Sequence, residues 1–600
     1  MVKWLRQSVE AQFFAELFRA NRPLAIAWYG LILLRGLIPA AIAVSVGLLI
    51  VRVQKDAPIG GTLAVVAVLF VVSQILPPLH AQIGSSLGSQ ISAWLDDQLL
   101  LSTTTPAGLG HLESSELTDD LTLARDFDLG LTGPPVSLAM GFIGAGLVDL
   151  AIGLAQVIVL GAYHWWLAVL VGGAWVATHW ILRTATVWDR LTGELAEAQR
   201  QAEYSYRLAM DSPAAKEVRL FGLSGWIVER FAQARRRLVE VRWRTTKLPV
   251  HRIALTVVLL VGVNGFAFWW LARDAGTGAI GVGAAITFAQ AAVGAGALGF
   301  GGLSWALPHT AHGIATVRRL REPMQAAGAL ATTGKRPAEA LPAREIRFRD
   351  VRFAYAGGRP PVLDGLDLSI PAGSSLAIVG VNGAGKTTLV KLLSRLYDPD
   401  GGGIEIDGVD LREFDIASWR SRVTAVFQDY NKYDLSLREN VAPLGSATDD
   451  EIRAALAEAG ATGFAELDTV LSSAYEGGKD PSGGQWQRVA LARVLCSVRQ
   501  GAGLVILDEP TAQLDVRGEA EIFGRLLAAT RGTTTVLISH RFSTVRHADR
   551  IAVLEHGRVV EFGTHDELYA AGGRYARMYD VQAARFGEDD SNDNNDSVFA

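Results

Sequence analysis

Six apolar tracts dominate the first part of the chain, at 24–51, 62–83, 137–160, 165–182, 253–271 and 279–303. A helix needs about 20 largely apolar residues to cross the hydrocarbon of a bilayer. The pattern therefore predicts a membrane α-helical bundle with six transmembrane helices, the fourth and fifth being the shortest. Two long polar stretches with helical spacing follow the second and fourth tracts, as expected for helices that continue straight out of the membrane. Their tips, 113–125 and 211–221, are short polar helical stretches bounded by breakers such as Pro213 and Gly222. From Ile346 the pattern changes to short β-rich runs, including 346–353 and 375–379, alternating with helical ones. The second part thus reads as an α/β domain.

The residues ahead of the first tract carry Lys3, Arg6, Arg19 and Arg22 around Trp4, Leu5, Phe13, Phe14, Leu17 and Phe18. A cleaved signal needs a short apolar core and a small-residue cleavage site directly after its basic start. The spacing here instead predicts an amphipathic helix lying on the membrane surface. Basic residues are dense between the fourth and fifth tracts (Arg190, Arg200, Arg207, Lys216, Arg219, Arg230, Arg235, Arg236, Arg237, Arg242 and Lys247), whereas the opposite loops carry Arg52, Lys55 and Arg273. Positive charge stays on the cytoplasmic side, so both termini are expected there, with the protein in the cell membrane.

Composition narrows the chemistry. At 600 residues the chain exceeds one compact core, and its net charge of −5 offers no nucleic-acid footprint. A single cysteine, Cys496, excludes an intramolecular disulfide framework and a multi-cysteine metal site. It sits in a helical pattern and is expected to be a small packed hydrophobe. Arg35, Asp149, Gln156 and Asn264 fall inside apolar tracts, where polar groups are functional candidates by default. For Arg35 and Asp149 the plainer expectation is a place near the cytoplasmic ends or a mutual pair. Trp165, Trp166, Trp269 and Trp270 stand at tract ends and read as interfacial anchors.

The run 375–379 leads into Gly380-Val381-Asn382-Gly383-Ala384-Gly385-Lys386-Thr387, followed by Thr388 and a helical run. This is a phosphate-binding loop in its strand–loop–helix context. Glycines let backbone N–H groups close around phosphate oxygens, and the helix N-terminus adds its dipole. Lys386 is expected on the β- and γ-phosphates of ATP and Thr387 on Mg²⁺. Further on, Leu504-Val505-Ile506-Leu507-Asp508-Glu509 is a buried strand ending in two acids. Asp508 is placed to hold Mg²⁺, and Glu509 to polarise an attacking water as general base. Between them, Ser482-Gly483-Gly484-Gln485 opens a helix and forms a second anion-binding start.

This last segment, with Pro481 ahead of it and Trp486-Gln487-Arg488 behind, resembles the signature sequence of ABC ATPases. Pro481 stands where that family usually has leucine, and proline is compatible with a helix start. The resemblance covers the C-terminal half in motif order and spacing. It implies that Tyr355 stacks on adenine, that Gln428 senses γ-phosphate and Mg²⁺, and that His540 grips the γ-phosphate. It further implies that Asp515 lies in the loop joining two sites, and that Glu476 resembles the exporter-specific acid meeting a coupling helix. In that family each ATP is sandwiched between the phosphate loop of one subunit and the signature of the other, so a second copy is expected, a homodimer rather than a heterodimer.

Six spans fused to one ATPase resemble a half-transporter of the exporter group, with the domain-swapped bundle of that type. The segment Ala214-Ala215-Lys216-Glu217-Val218-Arg219-Leu220-Phe221-Gly222 resembles the second coupling helix of bacterial exporters. Gln485-Trp486-Gln487-Arg488 resembles lantibiotic and other peptide exporters. The expected plan is an amphipathic helix at 1–23, a transmembrane domain at 24–326, a linker at 327–343, an ATP-binding cassette of the P-loop NTPase class at 344–585, and a disordered acidic tail at 586–600. With so short a stretch before the first span, no leader peptidase is expected ahead of it. The expected activity is ATP hydrolysis driving an amphipathic or peptide cargo outward among membrane lipids, with an ATP-gated lipid flippase or a non-pumping regulator or channel as the alternative. A soluble ABC protein acting on nucleic acid is excluded by the apolar tracts.

Overall fold

The computed structural model describes residues 8–128, 134–186, 193–246, 250–299, 301–331, 334–357, 360–510 and 516–593. It divides into two compact units, one of Met1–Thr103 with Glu116–Pro323, the other of Thr104–Ser115 with Met324–Ala600.

The first unit is helical. Its opening helix, Val9–Ala20, starts at Ser8, whose side chain accepts from the Ala11 N–H. Asn21 then ends this helix and caps the next, Arg22–Gln54, by accepting from the Leu24 N–H, with a proline in the first turn. That pairing of a capping amide and an early proline stops one helix and starts the next. Glu16, 2% exposed, holds Arg19 Nη1 at 2.7 Å and Arg318 Nη1 at 3.2 Å. The opening helix is thereby tied to the last helix of the unit, Gly301–Ala327.

Among the described residues, five helical segments are long and apolar enough to cross a membrane: Arg22–Gln54, Gly60–Thr104, Val136–Gly161, Val250–Gly276 and Val282–Gly299. The fourth tract forms the shorter apolar segment Trp165–Ile181, within a helix that runs to Thr186. The sixth tract is not one α-helix. It runs as α-helix over Val282–Gly294 and tightens to a 3₁₀ turn over Ala295–Gly299, and Gly301–Ala327 follows as a new helix. Its glycine-rich run weakens helix propagation there. Small residues let the spans approach closely: a Cβ on Gly47 would lie 1.9 Å from Thr287 Oγ1. The Thr287 hydroxyl is shared between the carbonyls of Ala43 and Gly283 at 3.3 and 3.1 Å.

Arg35 and Asp149 lie close enough to act on each other's charge, as the expected mutual pair would, and Arg35 has a second neighbour. Arg35 Nη1 lies 2.7 Å from His80 Nδ1, and the His80 ring stacks on Trp28. Asn264 donates to the Leu260 carbonyl of its own helix at 2.8 Å. Both loop tips are helical, but the first is divided. Ser114, in extended backbone, separates Gly110–Glu113 from Ser115–Asp128, so the expected stretch at 113–125 belongs to two helices. At the second tip Asp211 precedes Ser212–Leu220, and Phe221 ends it.

The second unit carries two sheets. A four-stranded antiparallel sheet has the order β2-β1-β4-β5, from β1 (Glu345–Phe353), β2 (Leu363–Pro371), β4 (Gly401–Ile406) and β5 (Val409–Asp410). A six-stranded sheet has the order β10-β9-β3-β8-β7-β6, from β3 (Ser375–Gly380), β6 (Val423–Val426), β7 (Leu504–Asp508), β8 (Thr534–Ile538), β9 (Arg550–Glu555) and β10 (Arg558–Gly563). Strands β6, β7, β8, β3 and β9 run parallel. Every residue of β7 and β8 is buried, as both faces of a parallel sheet are covered. One core cluster joins Val505 and Leu507 to Trp486, Val489 and Cys496 of the helix Gly483–Arg499. The other joins Ile506 to Leu389, Leu393 and the inner face of the antiparallel sheet. Cys496 is buried, and burial raises its thiol pKa. The final helix spans Arg574–Asp593.

Candidate functional site

In a parallel sheet, ligands gather outside the carboxyl ends of the strands. Four such ends converge here. The phosphate loop follows β3, His540 follows β8, Asp508 and Glu509 close β7, and Gln428 follows β6. Together with Val362 ahead of β2, these segments enclose a cavity of about 570 Å³, lined by Asn382, Gly383, Gly385, Lys386, Thr387, Thr388, Gln428, Asp508, Glu509 and His540.

The loop owes its shape to residues with left-handed backbone. Gly385 has φ of 102° and caps the helix Lys386–Leu393. A Cβ there would lie 2.6 Å from Leu363 Cδ2. Gly380, at the end of β3, has φ of 153°, and a Cβ would meet the Leu554 carbonyl oxygen at 2.3 Å. Lys386 is 7% exposed, and its Nζ donates to the carbonyls of Gly380 and Val381 at 2.9 and 3.1 Å. Burial lowers its pKa, against the pull of Glu509 and Asp508.

Across the cavity, Thr387 Oγ1 donates to Asp508 Oδ2 at 2.9 Å. Asp508 is 2% exposed, and burial raises its carboxyl pKa despite that hydrogen bond. Glu509 has φ of 51°, a left-handed conformation uncommon outside glycine. Its N–H is fixed by the Ile538 carbonyl at 2.9 Å. The carboxylate is held on both sides, by Gln428 Nε2 at 3.1 Å on Oε2 and by His540 Nε2 at 3.1 Å on Oε1. Burial, then the charge of Lys386, lowers the His540 pKa. The group can therefore polarise a water beside a bound phosphate, with a cation, a hydroxyl and a carboxylate already in reach.

Tyr355 stands beside the loop's helix, its Oη 3.1 Å from Thr388 Oγ1. Ser482, Gly483, Gly484 and Gln485 are not in the cavity wall. They open the helix Gly483–Arg499, where Ser482 and Gln485 form a reciprocal capping box. Tyr430 Oη donates to the Gly483 carbonyl at 3.3 Å. Glu476 is exposed. Asp515 lies outside the described residues. Val362 was not legible as a site residue, because only the folded sheet brings the start of β2 to the phosphate loop.

Residues 363–512 match the family model for the ABC transporter. Among curated proteins the chain is similar to an ATP-dependent lipid A-core flippase of Thiobacillus denitrificans, 42% identical over 245 residues, 40% of this chain and 41% of that protein. It is also similar to a β-(1→2)glucan export ATP-binding/permease protein of Agrobacterium fabrum, 42% identical over 237 residues, 39% of this chain and 40% of that one. A multidrug efflux ATP-binding/permease protein of Mycobacterium bovis is 39% identical over 241 residues, 39% of this chain and 20% of its own length. The match thus spans about 41% or less of the length of these relatives. Among solved structures, a bacterial Atm1-family ABC exporter with ATP bound superimposes with a TM-score of 0.73 at 25% identity, over 94% of this chain and 98% of that one. Residues 363–512 thus resemble the domain that defines ABC transporters, and the chain has the fold of an ABC exporter.

Proposed function

We propose that this chain is an ATP-hydrolysing ABC exporter that moves an amphipathic or peptide cargo out of the cytoplasm by alternating access. One observation carries the reading: Lys386, Thr387, Asp508, Glu509, Gln428 and His540 meet around one cavity in a chain whose described residues also hold five helical segments apolar and long enough to cross a membrane.

In this reading the loop N–H groups and Lys386 bind the phosphates of ATP, and Tyr355 takes the base. The Thr387 hydroxyl and Asp508 carboxylate, 2.9 Å apart, are the hard oxygen donors that suit Mg²⁺, with Gln428 beside them. When bound, Mg²⁺ neutralises phosphate charge as the terminal phosphoryl group leaves. Lys386 exchanges the carbonyls of Gly380 and Val381 for phosphate oxygens. Glu509, held by Gln428 and His540 before nucleotide enters, accepts the proton of the attacking water, and His540 turns toward the γ-phosphate as ATP binds.

Ser482 to Gln485 stand outside the cavity wall, which supports a site completed by the signature helix of a second copy. The working unit in this reading is a homodimer in the cell membrane, with termini and ATPase domains in the cytoplasm and Asp515 at the junction between sites. Purified chain in inside-out vesicles tests this. Fluorescent amphipathic dyes and cationic peptides should accumulate against a gradient with MgATP, and Glu509→Gln should abolish accumulation. Downhill flux that survives Glu509→Gln would instead identify a gated pathway.

A further inference from the structure

A cluster outside the phosphate cavity joins the first long loop to the base-binding side of the site. The segment Thr104–Ser115 belongs to the ATPase unit. It is seated there by its backbone: the Leu109 N–H donates to the Leu396 carbonyl at 3.1 Å, and the Gly108 N–H to that of Gly328 at 2.9 Å. Arg420 clamps it further, one guanidinium nitrogen serving the carbonyls of Ala107 and Arg395 at 2.6 and 2.7 Å. At the end of the helix Gly110–Glu113, Glu113 Oε1 accepts from Lys391 Nζ at 3.3 Å.

Lys391 lies on the helix that follows the phosphate loop. Its ammonium stands 5.5 Å from the centroid of the Tyr355 ring and 5.9 Å from that of Tyr397. The two rings meet edge to face at 5.6 Å. Tyr355 in turn reaches Thr388, a wall of the cavity. A lysine ammonium has a long flexible stem, so a cation–π contact alone places it loosely. The carboxylate of Glu113 narrows that choice. Lys391 is 25% exposed and Glu113 42%, so the pair adds little to stability and acts through placement.

We propose that Glu113 and Lys391 are positioning residues for Tyr355, so that a nucleotide base at this ring and the seating of Gly110–Glu113 favour one another. The proposal rests on the reading of Tyr355 as the base-binding ring. Coupling between two binding events is reciprocal. A triphosphate with a base therefore tightens the loop segment, and an inorganic polyphosphate does not.

The test uses the full chain in lipid nanodiscs, with MgATP and magnesium tripolyphosphate as probes. Glu113→Gln and Lys391→Met should each weaken ATP binding about three- to fivefold, the range of an exposed ion pair or cation–π contact. Tripolyphosphate binding should not change. The double variant should be no weaker than Lys391→Met, because the residues act as one unit, and Lys391→Arg should restore most of the affinity. ATP should slow amide exchange at residues 108–113 in the wild type but not in Glu113→Gln. Unchanged ATP affinity in both single variants, or an equal loss for both probes, would overturn the proposal. A wild-type chain that binds neither probe would overturn the ATP reading itself.

Discussion

His540 and Glu509 stand 3.1 Å apart, Nε2 to Oε1, at the ends of neighbouring parallel strands. The contact turns a left-handed, strained glutamate into an oriented one, with Gln428 on its other oxygen. Removing the imidazole frees the carboxylate while leaving the loop intact. His540→Ala should therefore hydrolyse ATP about 10²-fold more slowly and bind it nearly as well. Steady-state hydrolysis beside equilibrium binding checks this.

Gly385 admits no side chain. Its φ of 102° is strained for any other residue, and a Cβ would press on Leu363 Cδ2 and the Val362 carbonyl. Gly385→Ala should lose measurable ATP binding and cost about 1–3 kcal/mol of stability in the ATPase unit. Thermal unfolding with and without MgATP would show both effects: a lower midpoint and no upward shift on adding nucleotide.

The phosphate loop and the acids after β7 were legible because their chemistry demands particular residue types at fixed spacing. The apolar tracts were legible because hydrocarbon thickness sets a length. What sequence could not convey were contacts made by tertiary approach. Glu113 and Lys391 are 278 positions apart, and the patterns that place each on a helix do not bring the two together. His80 is one histidine in an apolar tract, and only the packing of two helices brings it to Arg35. The break in the sixth tract was missed because hydropathy registers its glycines as neutral, whereas the backbone treats them as weak points. The signature segment was recognised by its residues, and its place outside the cavity wall follows from the fold of a single chain.

Asp407 fastens the chain ahead of β1 to the turn after β4. Its carboxylate accepts from the backbone N–H groups of Ala343, Arg344 and Glu345 at 2.8, 2.7 and 2.9 Å. Burial alone would raise its pKa, but these bonds outweigh burial and hold it below the ordinary 3.8. With the folded value depressed, the unfolded chain binds the proton more readily, so the stabilisation is present above that ordinary value and is lost as pH falls through the folded one. Asp407→Ala should lower stability at pH 7 by about 1–3 kcal/mol. The difference from wild type should shrink in strong acid, as unfolding midpoints across a pH series would show.

Glu16 is buried under two partly exposed arginines. Arg318→Ala leaves that carboxylate with Arg19 alone, at the joint between the first and last helices of the membrane unit. Losing one partner of a buried charge should cost about 1–3 kcal/mol, and Glu16→Gln with Arg318→Ala should recover part of that loss. Melting in detergent, followed by tryptophan fluorescence, tests the order of the three variants.

In the proposed mechanism, ATP bound at Lys386 is cleaved by water activated at Glu509. Single-turnover hydrolysis of prebound MgATP by Glu509→Gln in lipid nanodiscs tests it most directly. The prediction is binding close to wild type with cleavage slowed by about 10²-fold or more; cleavage at the wild-type rate would contradict it.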